Sequence, residues 1–483
     1  MMPLKNDGLL LEIIKNCLVI FVHLNLIFYH GESSYSSAGN TYHEQIRRLS
    51  LIKASHLNHN GVPRQFPSFS ITPSVLMASR VYHVVDYGAD PTGTSDSTEA
   101  LERAIHDAFE SPLDDDEHLM KGVGDLGGSQ VHLDGGTYKI TRPLLLPTSG
   151  GGNLMIHGGS ICASNGFPTD RHLIELWPSS TSSPFEDITI KDMMLNANFR
   201  GGGISLVNSI RITIENCYIS HFTTNGILIQ GGHETYIRNS FIGQHINVGG
   251  DHREKDFSGI GINIIGNDNS VTDVVIFSAS IGIMVEGQAN VFTGVHCYNK
   301  ATMLGGTGIY VRVPGFTQTR IINCYFDFTG IVAEDPVQLH ISNSFFLGNA
   351  FILIKSLNGV VSGVTIVNNM FSGDYTGVHI VQLDESKKEF HDVDQVVVDR
   401  NDVRGMTLKS TVARRTTWSN GTTWTVDFSK VLLFPNLIKN VQYTLHAGAL
   451  FPNHVLRNVS RNQITVESDI PVSATLHAYV DQY

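Results

Sequence analysis

Four charged side chains of alternating sign recur in the middle of the chain, and their types suit acid–base chemistry on an anionic substrate. They follow one another at spacings of 26, 22 and 21 residues and are Glu286, Arg312, Glu334 and Lys355. Two carboxyl groups can serve as general acid and general base. The two cations can hold substrate carboxylates through charge-assisted hydrogen bonds. The residues can act together only if the fold brings them into one column.

Each of the four occupies the fourth position of a short strand motif in which apolar and variable residues alternate. Most copies of the motif follow a glycine, and their start-to-start spacings are 23, 35, 21, 26, 22, 21 and 26 residues. Repeats of this length predict a stacked solenoid. The copies are Ile204-Ser-Leu-Val, Ile227-Leu-Ile-Gln, Ile262-Asn-Ile-Ile, Ile283-Met-Val-Glu, Ile309-Tyr-Val-Arg, Ile331-Val-Ala-Glu, Ile352-Leu-Ile-Lys and Val378-His-Ile-Val.

A second apolar strand recurs inside the units and carries an asparagine at its centre. The four asparagines predicted to align between coils are Asn216, Asn239, Asn323 and Asn343. Asparagine favours turns because its amide bonds the neighbouring backbone. Several short strands per unit with no long helix between them predict an all-β fold, a single-stranded right-handed parallel β-helix. The leucine-rich repeat alternative lacks its leucine scaffold.

In such a coil the first and third residues of each strand point inward, and the second and fourth point outward. The outward fourth positions are Val207, Gln230, Ile265, Glu286, Arg312, Glu334, Lys355 and Val381. With rungs about 4.8 Å apart, Glu286 and Glu334 would lie roughly 9.6 Å apart. Inverting glycosidases place their two carboxyl groups about 6.5–9.5 Å apart.

The outward second positions add three candidate substrate-binding residues to the same face: Asn263, Tyr310 and His379. The alternative interpretation of this face is a solvated ladder of ion pairs, each contributing under about 1 kcal/mol.

Other carboxylates are further catalytic candidates. The longest unit contains the insertion Gly249-Gly-Asp-His-Arg-Glu-Lys-Asp-Phe, which carries Asp251 and Asp256, and Asp268 follows the next strand. Long loops on rigid scaffolds often carry function, although a charged, solvated loop is the alternative. Asp335 adjoins Glu334, and a neighbouring like charge would favour Glu334 as the acid and Glu286 as the base. A turn-starting aspartate is the alternative role for Asp335.

The ends of the chain differ from the repeats. Residues 1–31 contain a short apolar run and predict a secretory signal, and residues 32–80 predict a poorly ordered spacer. A helix beginning near Asp96 is expected to cap the coils of residues 81–405, and residues 406–483 predict a small β-rich cap. The triplets at Asn420 and Asn458 are glycosylation sequons, which agree with secretion.

The charge balance excludes one class of partner. Lys and Arg total 33 against 45 Asp and Glu, a net charge of −12, which argues against nucleic-acid binding. The sequence shows no zinc-ligand spacing, phosphate-binding loop or nucleophile elbow. We therefore expect no metal or cofactor, no membrane contact after signal cleavage, and a monomer.

Two motifs resemble pectin-degrading β-helix enzymes. They are Val81-Tyr-His-Val-Val-Asp-Tyr-Gly-Ala-Asp-Pro-Thr-Gly-Thr-Ser-Asp and Gly127-Gly-Ser-Gln-Val-His-Leu-Asp-Gly-Gly-Thr-Tyr. With Gly249-Gly-Asp-His-Arg-Glu and Ile331-Val-Ala-Glu-Asp-Pro, the chain resembles plant quartet-type polygalacturonases, which are grouped with glycoside hydrolase family 28. The resemblance implies a secreted hydrolase of α-1,4-galacturonan, the backbone of pectin, acting in pollen separation.

The sequence departs from the catalytic motifs of that hydrolase family. Thr224-Asn225-Gly226 lacks the carboxylate of the family's Asn-Thr-Asp block, and Gly259-Ile-Gly-Ile and Ser280-Ile-Gly-Ile stand where an Asp pair and a His are expected. Hydrolysis would therefore use other carboxylates. Two further functions stay open: a polyuronate lyase using Arg312 or Lys355 with calcium, and a non-catalytic wall-polysaccharide binder.

Overall fold

The computed structural model describes residues 80–110, 119–178, 185–245, 258–298, 306–448 and 450–483. The predicted signal segment, nearly all of the predicted spacer, and Asp251 and Asp256 lie outside these residues. Within the described ranges, no helix is long and apolar enough to cross a bilayer.

The repeats form a parallel β-helix, as predicted. One ten-stranded parallel sheet, here called the first sheet, collects one strand from each coil. Its strands are Leu144–Leu145, His172–Leu176, Gly202–Val207, Asn225–His233, Ile260–Asn267, Ile281–Val285, Thr307–Val311, Gly330–Glu334, Ile352–Lys355 and Val381–Asp384.

Two further parallel stacks complete the coils, and three long strands run through both of them: Gly151–Ala163, Phe185–Asn196 and Thr213–Ser220. The second stack also contains Val81–His83, Asp125–His132, Tyr236–Arg238, Ser270–Thr272, Val291–Thr293, Thr319–Ile322, Leu339–Ser342, Thr365–Val367 and Val397–Asp399. The third stack also contains Thr92–Asp96, Thr137–Ile140, Phe241–Gly243, Val275–Phe277, His296–Tyr298, Tyr325–Asp327, Phe345–Leu347, Met370–Ser372 and Asp402–Arg404. The strands Val360–Ser362 and Asp392–Asp394 pair separately.

The core is a set of residue columns that run through the coils. In the first sheet the first inward residue of the strand motif is isoleucine in seven consecutive rungs, from Ile204 to Ile352. These isoleucines pair with one another in register, and all are essentially inaccessible to solvent. In the third stack the rings of Phe326, Phe346 and Phe371 stack with centroids 4.9 and 4.5 Å apart. Burial of these columns is the main force that holds the coils together.

The glycine before most of the inward isoleucines lies within the strand of the first sheet and lets the opposite wall of the coil approach. A Cβ atom on Gly226 would lie 2.7 Å from Cγ2 of Ile242, and one on Gly261 would lie 2.6 Å from Cγ2 of Ile276. Neither contact is sterically allowed, so the core of each coil excludes a side chain at these positions.

The asparagines of the second repeated strand lie at the bends between the second and third stacks. Asn216, Asn239, Asn323 and Asn343 all adopt left-handed backbone conformations, with φ between 49 and 55°. Asparagine tolerates this region better than most residues, which explains its recurrence. The amide of Asn216 also donates to Oδ1 of Asp192 on the preceding coil, at 2.7 Å.

The predicted helix is present as Thr98–Phe109, and a short 3-10 turn, Val84–Tyr87, precedes it. Its apolar stripe of Ala100, Leu101, Ala104, Ile105 and Ala108 is buried in the coil core. Asp96 accepts a hydrogen bond from the backbone N–H of Thr98 at 3.1 Å, which satisfies one of the free donors at the helix start.

The C-terminal strands are antiparallel and have a second apolar core around Trp424 and Leu476. The long strand Gln463–Asp481 is central: its two halves pair with the two halves of Val412–Asp427. The remaining strands, Asn440–Ala447 and His454–Ser460, pair with the other edge of that central strand.

Candidate functional site

The predicted charged column exists on the outward face of the first sheet. Arg312 Nη1 lies 3.0 Å from Glu286 Oε1, and Lys355 Nζ lies 3.4 Å from Glu334 Oε1. The Glu286 side chain is 28% exposed, whereas that of Glu334 is only 8% exposed. The rung of Arg312 lies between the rungs of the two glutamates. Val311, which precedes Arg312, pairs with Val285 on one side and with Ala333 on the other. Their two-rung separation corresponds to roughly 9.6 Å along the sheet.

Glu334 is held by two donors. Tyr310 Oη donates to Oε1 of Glu334 at 2.6 Å, and the Lys355 ammonium approaches the same oxygen. Burial, followed by the hydrogen bond to Glu334, raises the pKa of Tyr310. Burial lowers the pKa of Lys355, but its contacts with Tyr310 and Glu334 outweigh this and raise it overall. Two donors on one oxygen are the environment of an ionised carboxylate.

The structure places Asp335 in a turn, directly after Glu334. Its carboxylate is buried and accepts backbone N–H bonds from Leu357, Asn358 and Val360 at 3.0, 2.7 and 3.4 Å. It therefore fixes the loop of the following coil. This is the turn role given above as the alternative for Asp335, and the effect of its charge on Glu334 stays a prediction.

The last predicted rung has a different register. The strand is Val381–Asp384 rather than 378–381, so Val381 pairs with Ile352 at an inward position and Asp384 pairs with Lys355. The shift buries Ile380 and Val381, whereas Val378 remains only partly buried. His379 thus leaves the first sheet and bridges to Thr407 instead. The sequence missed Asp384 because both registers alternate apolar residues.

The two remaining described candidates lie in different places: Asn263 on the first sheet, and Asp268 in the turn that follows one of its strands. Asn263 stands on the first sheet between Leu228 and Met284, and no described residue hydrogen bonds to its buried Oδ1 atom. Asp268 is exposed in a left-handed turn, with φ of 58°, after the strand Ile260–Asn267. Its carboxylate therefore belongs to the corner of the coil and not to the face that carries Glu286.

A further group on this sheet escaped the sequence analysis because it precedes the regular repeats. Arg171 forms paired hydrogen bonds to the fully buried carboxylate of Glu175, and its guanidinium carbon lies 4.8 Å from the centroid of the Trp177 ring. Trp177 follows Leu176, which pairs with Leu206, so it starts the outward fourth column, and its indole donates to Ser205. An outward indole braced by a cation suits contact with a sugar ring.

The two motifs that carry the family resemblance meet at the start of the second stack. His83 Nδ1 and His132 Nδ1 lie 2.6 and 2.8 Å from the same oxygen of Asp134. These three residues offer ligand atoms close enough to hold a metal ion, as do the exposed His106, Asp107 and Glu110. The distances around Asp134 are those of hydrogen bonds.

This cluster predicts a pH-dependent contribution to stability. The hydrogen bond and charge of Asp134 raise the pKa of His83. Burial raises the pKa of Asp134, but hydrogen bonds from His83 and His132 lower it overall. Because the pKa of His83 is raised, its ion pair stabilises the fold fully below the ordinary histidine value of 6.5. The stabilisation is lost as the pH rises through the pKa in the folded state. The lowered aspartate pKa stabilises the fold above 3.8 and loses its effect as the pH falls.

We therefore expect His83→Gln to lower the unfolding midpoint most between these two pH values, and less in alkaline solution. Denaturant unfolding across pH measures this. In an Asp134→Asn background, the effect of His83→Gln on the unfolding midpoint should no longer depend on pH, because the ion pair is already absent. A loss that is the same at all pH values would contradict the ion pair.

Comparison with known proteins supports the same fold. No family model matches the chain. A solved structure from Geobacillus virus E2, ORF18, aligns with a TM-score of 0.56 over 82% of this chain and 77% of that chain, at 14% identity. At this identity the likeness concerns the fold alone. The coils and the charged outward face thus define a parallel β-helix protein with a column of charged side chains along its first sheet.

Sequence comparison gives the family. Polygalacturonase QRT3 of Arabidopsis thaliana is 55% identical over 454 residues, which are 92% of this chain and 93% of the relative. The chain belongs to the plant quartet-type polygalacturonases.

Proposed function

We propose that the protein is a glycoside hydrolase that cleaves α-1,4-linked galacturonan along the outward face of the first sheet. The observation that carries this proposal is Glu334, a nearly buried carboxylate held by Tyr310 and Lys355 and lying two rungs from Glu286. The family membership supports the substrate. The cations in the column, Arg312 and Lys355, supply partners for uronate carboxylates.

The hydrogen bonds support a division of roles opposite to the one predicted from sequence. Glu334 receives two donors and is proposed as the base, because both contacts favour its ionised form. Glu286 depends on Arg312, whose side chain is 56% exposed and can turn toward substrate. A uronate carboxylate bound to Arg312 would weaken that ion pair and place a negative charge beside Glu286. Both effects favour the protonated acid.

The proposed reaction inverts the anomeric carbon. Glu286 gives its proton to the glycosidic oxygen as the bond to the anomeric carbon breaks. Glu334 accepts a proton from a water molecule whose oxygen forms the new bond from the opposite face. The roughly 9.6 Å separation of the two rungs is close to the upper end of the range that leaves room for this water.

The lyase alternative is less well supported. A lyase base must be neutral before it takes the proton beside the uronate carboxylate. The contacts of Lys355 with Tyr310 and Glu334 raise its pKa overall and thus keep it charged. Arg312 is charged at any working pH.

One assay distinguishes a hydrolase, a lyase and a non-catalytic polysaccharide-binding protein. The purified protein is incubated with polygalacturonate, and new reducing ends and ultraviolet absorbance of unsaturated products are followed together. Hydrolysis predicts reducing ends without new absorbance. Appearance of both signals would indicate a lyase, and absence of both would favour a binding protein.

Arg312→Ala tests the proposed substrate contact. We expect the variant to raise KM for polygalacturonate more than it lowers kcat, because the guanidinium binds a carboxylate and carries no transferred proton. Steady-state kinetics measure both constants. Arg238→Ala is a matched control, since Arg238 is 51% exposed and pairs with Glu215 at 3.0 Å on the second stack, away from the first sheet. Equal effects of the two substitutions would contradict the assignment.

We also propose that the protein is secreted to the cell wall, works as a monomer and acts in pollen separation. The apolar segment near the start of the chain and the resemblance to quartet-type enzymes support this. Both sequon asparagines, Asn420 and Asn458, are exposed in the C-terminal sheet. Glycosidase treatment of plant-expressed protein should therefore change its electrophoretic mobility, and unchanged mobility would count against glycosylation.

A further inference from the structure

The C-terminal sheet exposes an open face that the proposed hydrolysis does not use. Towards the end of its central strand, Gln463–Asp481, buried and outward side chains alternate, and Leu476, Ala478 and Val480 are the buried ones. The opposite, outward face combines cationic, aromatic and hydroxyl groups in three rows across the sheet. The rows are Arg414–Tyr479–Gln442, Thr416–His477–Thr444 and Trp418–Thr475–His446.

This face contains a depression of about 570 Å³ over its first two rows. Arg414 and Tyr479 form one side of it, with the guanidinium carbon 5.3 Å from the ring centroid. Thr416 Oγ1 lies 3.0 Å from His477 Nδ1 and orients that ring. Arg415 also borders the depression, but it pairs with Ala478, so strand alternation directs its side chain to the other side of the sheet and leaves Arg414 as the cation of this face. Among the described lining residues there is no Asp or Glu. The local charge is therefore positive on a chain whose net charge is −12.

An exposed indole extends the same face. Trp418 is 66% exposed, and it lies four residues from Arg414 along one strand. At about 3.4 Å per residue the two side chains are roughly 14 Å apart, and adjacent strands are about 4.8 Å apart. The face is thus long enough for several sugar units. Flat aromatic rings suit the faces of sugar rings, and arginine forks suit their carboxylates.

We infer that this face is a second polyuronate-binding site, which tethers the enzyme to its polymer away from the charged column of the first sheet. Charge complementarity selects the occupant: on a chain whose net charge is −12, an acidic polymer would be attracted to the local cation Arg414. The hydroxyl and amide groups of Thr416, Thr444 and Gln442 can pair with sugar hydroxyls. The identity of the sugar rests on the proposed function, whereas the site itself does not.

The test is retention of the full chain on immobilised polygalacturonate in a Glu334→Gln background, chosen to suppress polymer cleavage. We expect the double substitution Arg414→Ala and Tyr479→Ala to weaken binding about tenfold, as loss of one good charged contact would. Combining it with Arg312→Ala should give losses that multiply, because one polymer that engages both sites at once binds with an affinity set by the product of the two. Arg457→Ala is the control, since Arg457 is 60% exposed in the same domain but pairs with Glu467 outside this face.

Several outcomes would overturn the inference. Unchanged retention of the double variant, or an equal loss of retention in Arg457→Ala, would show that this face does not bind the polymer. Equal binding to a neutral galactan or to anionic phospholipid vesicles would show a different ligand, and loss of a concentration-dependent dimer in the variant would show a self-contact. Product release from soluble oligogalacturonate is measured separately on the unsubstituted protein. A chain that binds through this face but cleaves nothing would contradict only the proposed hydrolysis.

Discussion

Replacing Glu334 by Gln should lower turnover of polygalacturonate about 10²–10⁴-fold, the usual contribution of a positioned acid or base. Gln keeps the shape and one acceptor for Tyr310 but cannot take the proton of the attacking water. Glu286→Gln should have an effect of similar size, because the leaving oxygen then receives no proton. Initial rates of reducing-end formation measure both losses, and the unfolding midpoint of each variant shows whether it has folded.

The chain supplies a matched control for this experiment. Glu215 is 29% exposed and pairs with Arg238 at 3.0 Å, which closely reproduces the environment of Glu286 beside Arg312. Glu215→Gln should leave turnover within about twofold, since exposed ion pairs contribute under about 1 kcal/mol. If all three variants behave alike, the column is only a ladder of ion pairs, and the search moves to Asp251, Asp256, Asp268 and Asp384.

Phe346→Ala should destabilise the coils by about 3–5 kcal/mol, the usual effect of removing a buried aromatic ring. Phe346 is inaccessible to solvent, and its ring lies between those of Phe326 and Phe371. Its loss leaves a cavity within a stack that spans three coils, and both neighbouring rings lose contacts. Denaturant unfolding followed by circular dichroism measures the change.

The adjacent residue is the control for this substitution. Phe345 belongs to the same strand but points outward and is 45% exposed. Phe345→Ala should change stability by about 0.5 kcal/mol or less, as most surface substitutions do. Equal losses for Phe345 and Phe346 would mean that the inward and outward sides of this strand are wrongly assigned.

The fold could be predicted from the sequence because its determinants are local and repeated. Inward isoleucines at regular spacing, glycines directly before them and asparagines at the bends each fit one position of a coil. The coil core has no room for a Cβ atom at Gly226 and Gly261, and the bend at Asn216 requires a left-handed backbone. A pattern repeated over many coils also fixes the register, which is why the column from Glu286 to Lys355 was placed correctly.

Prediction failed where one repeat offered two registers or where contacts came from outside the repeat. Apolar alternation fits both 378–381 and Val381–Asp384, and pairing with the preceding coil decided in favour of the second. Hydrogen bonds between coils likewise decided that Asp335 holds a backbone loop while Glu334 receives Tyr310 and Lys355. Sequence spacing does not contain this information, because a carboxylate's partners depend on side chains from adjacent coils.

The sequence by itself determined the parallel coils, the capping helix and the face on which Glu286, Arg312, Glu334 and Lys355 lie. The tertiary structure alone decided which of these carboxylates is buried, which donors surround it, and that Arg414, Tyr479 and Trp418 share one side of the C-terminal sheet. The physical reason is the separation along the chain over which each interaction acts. Alternation and turn chemistry act between near neighbours in the chain, whereas burial and electrostatics depend on strands that are distant in sequence and adjacent in space.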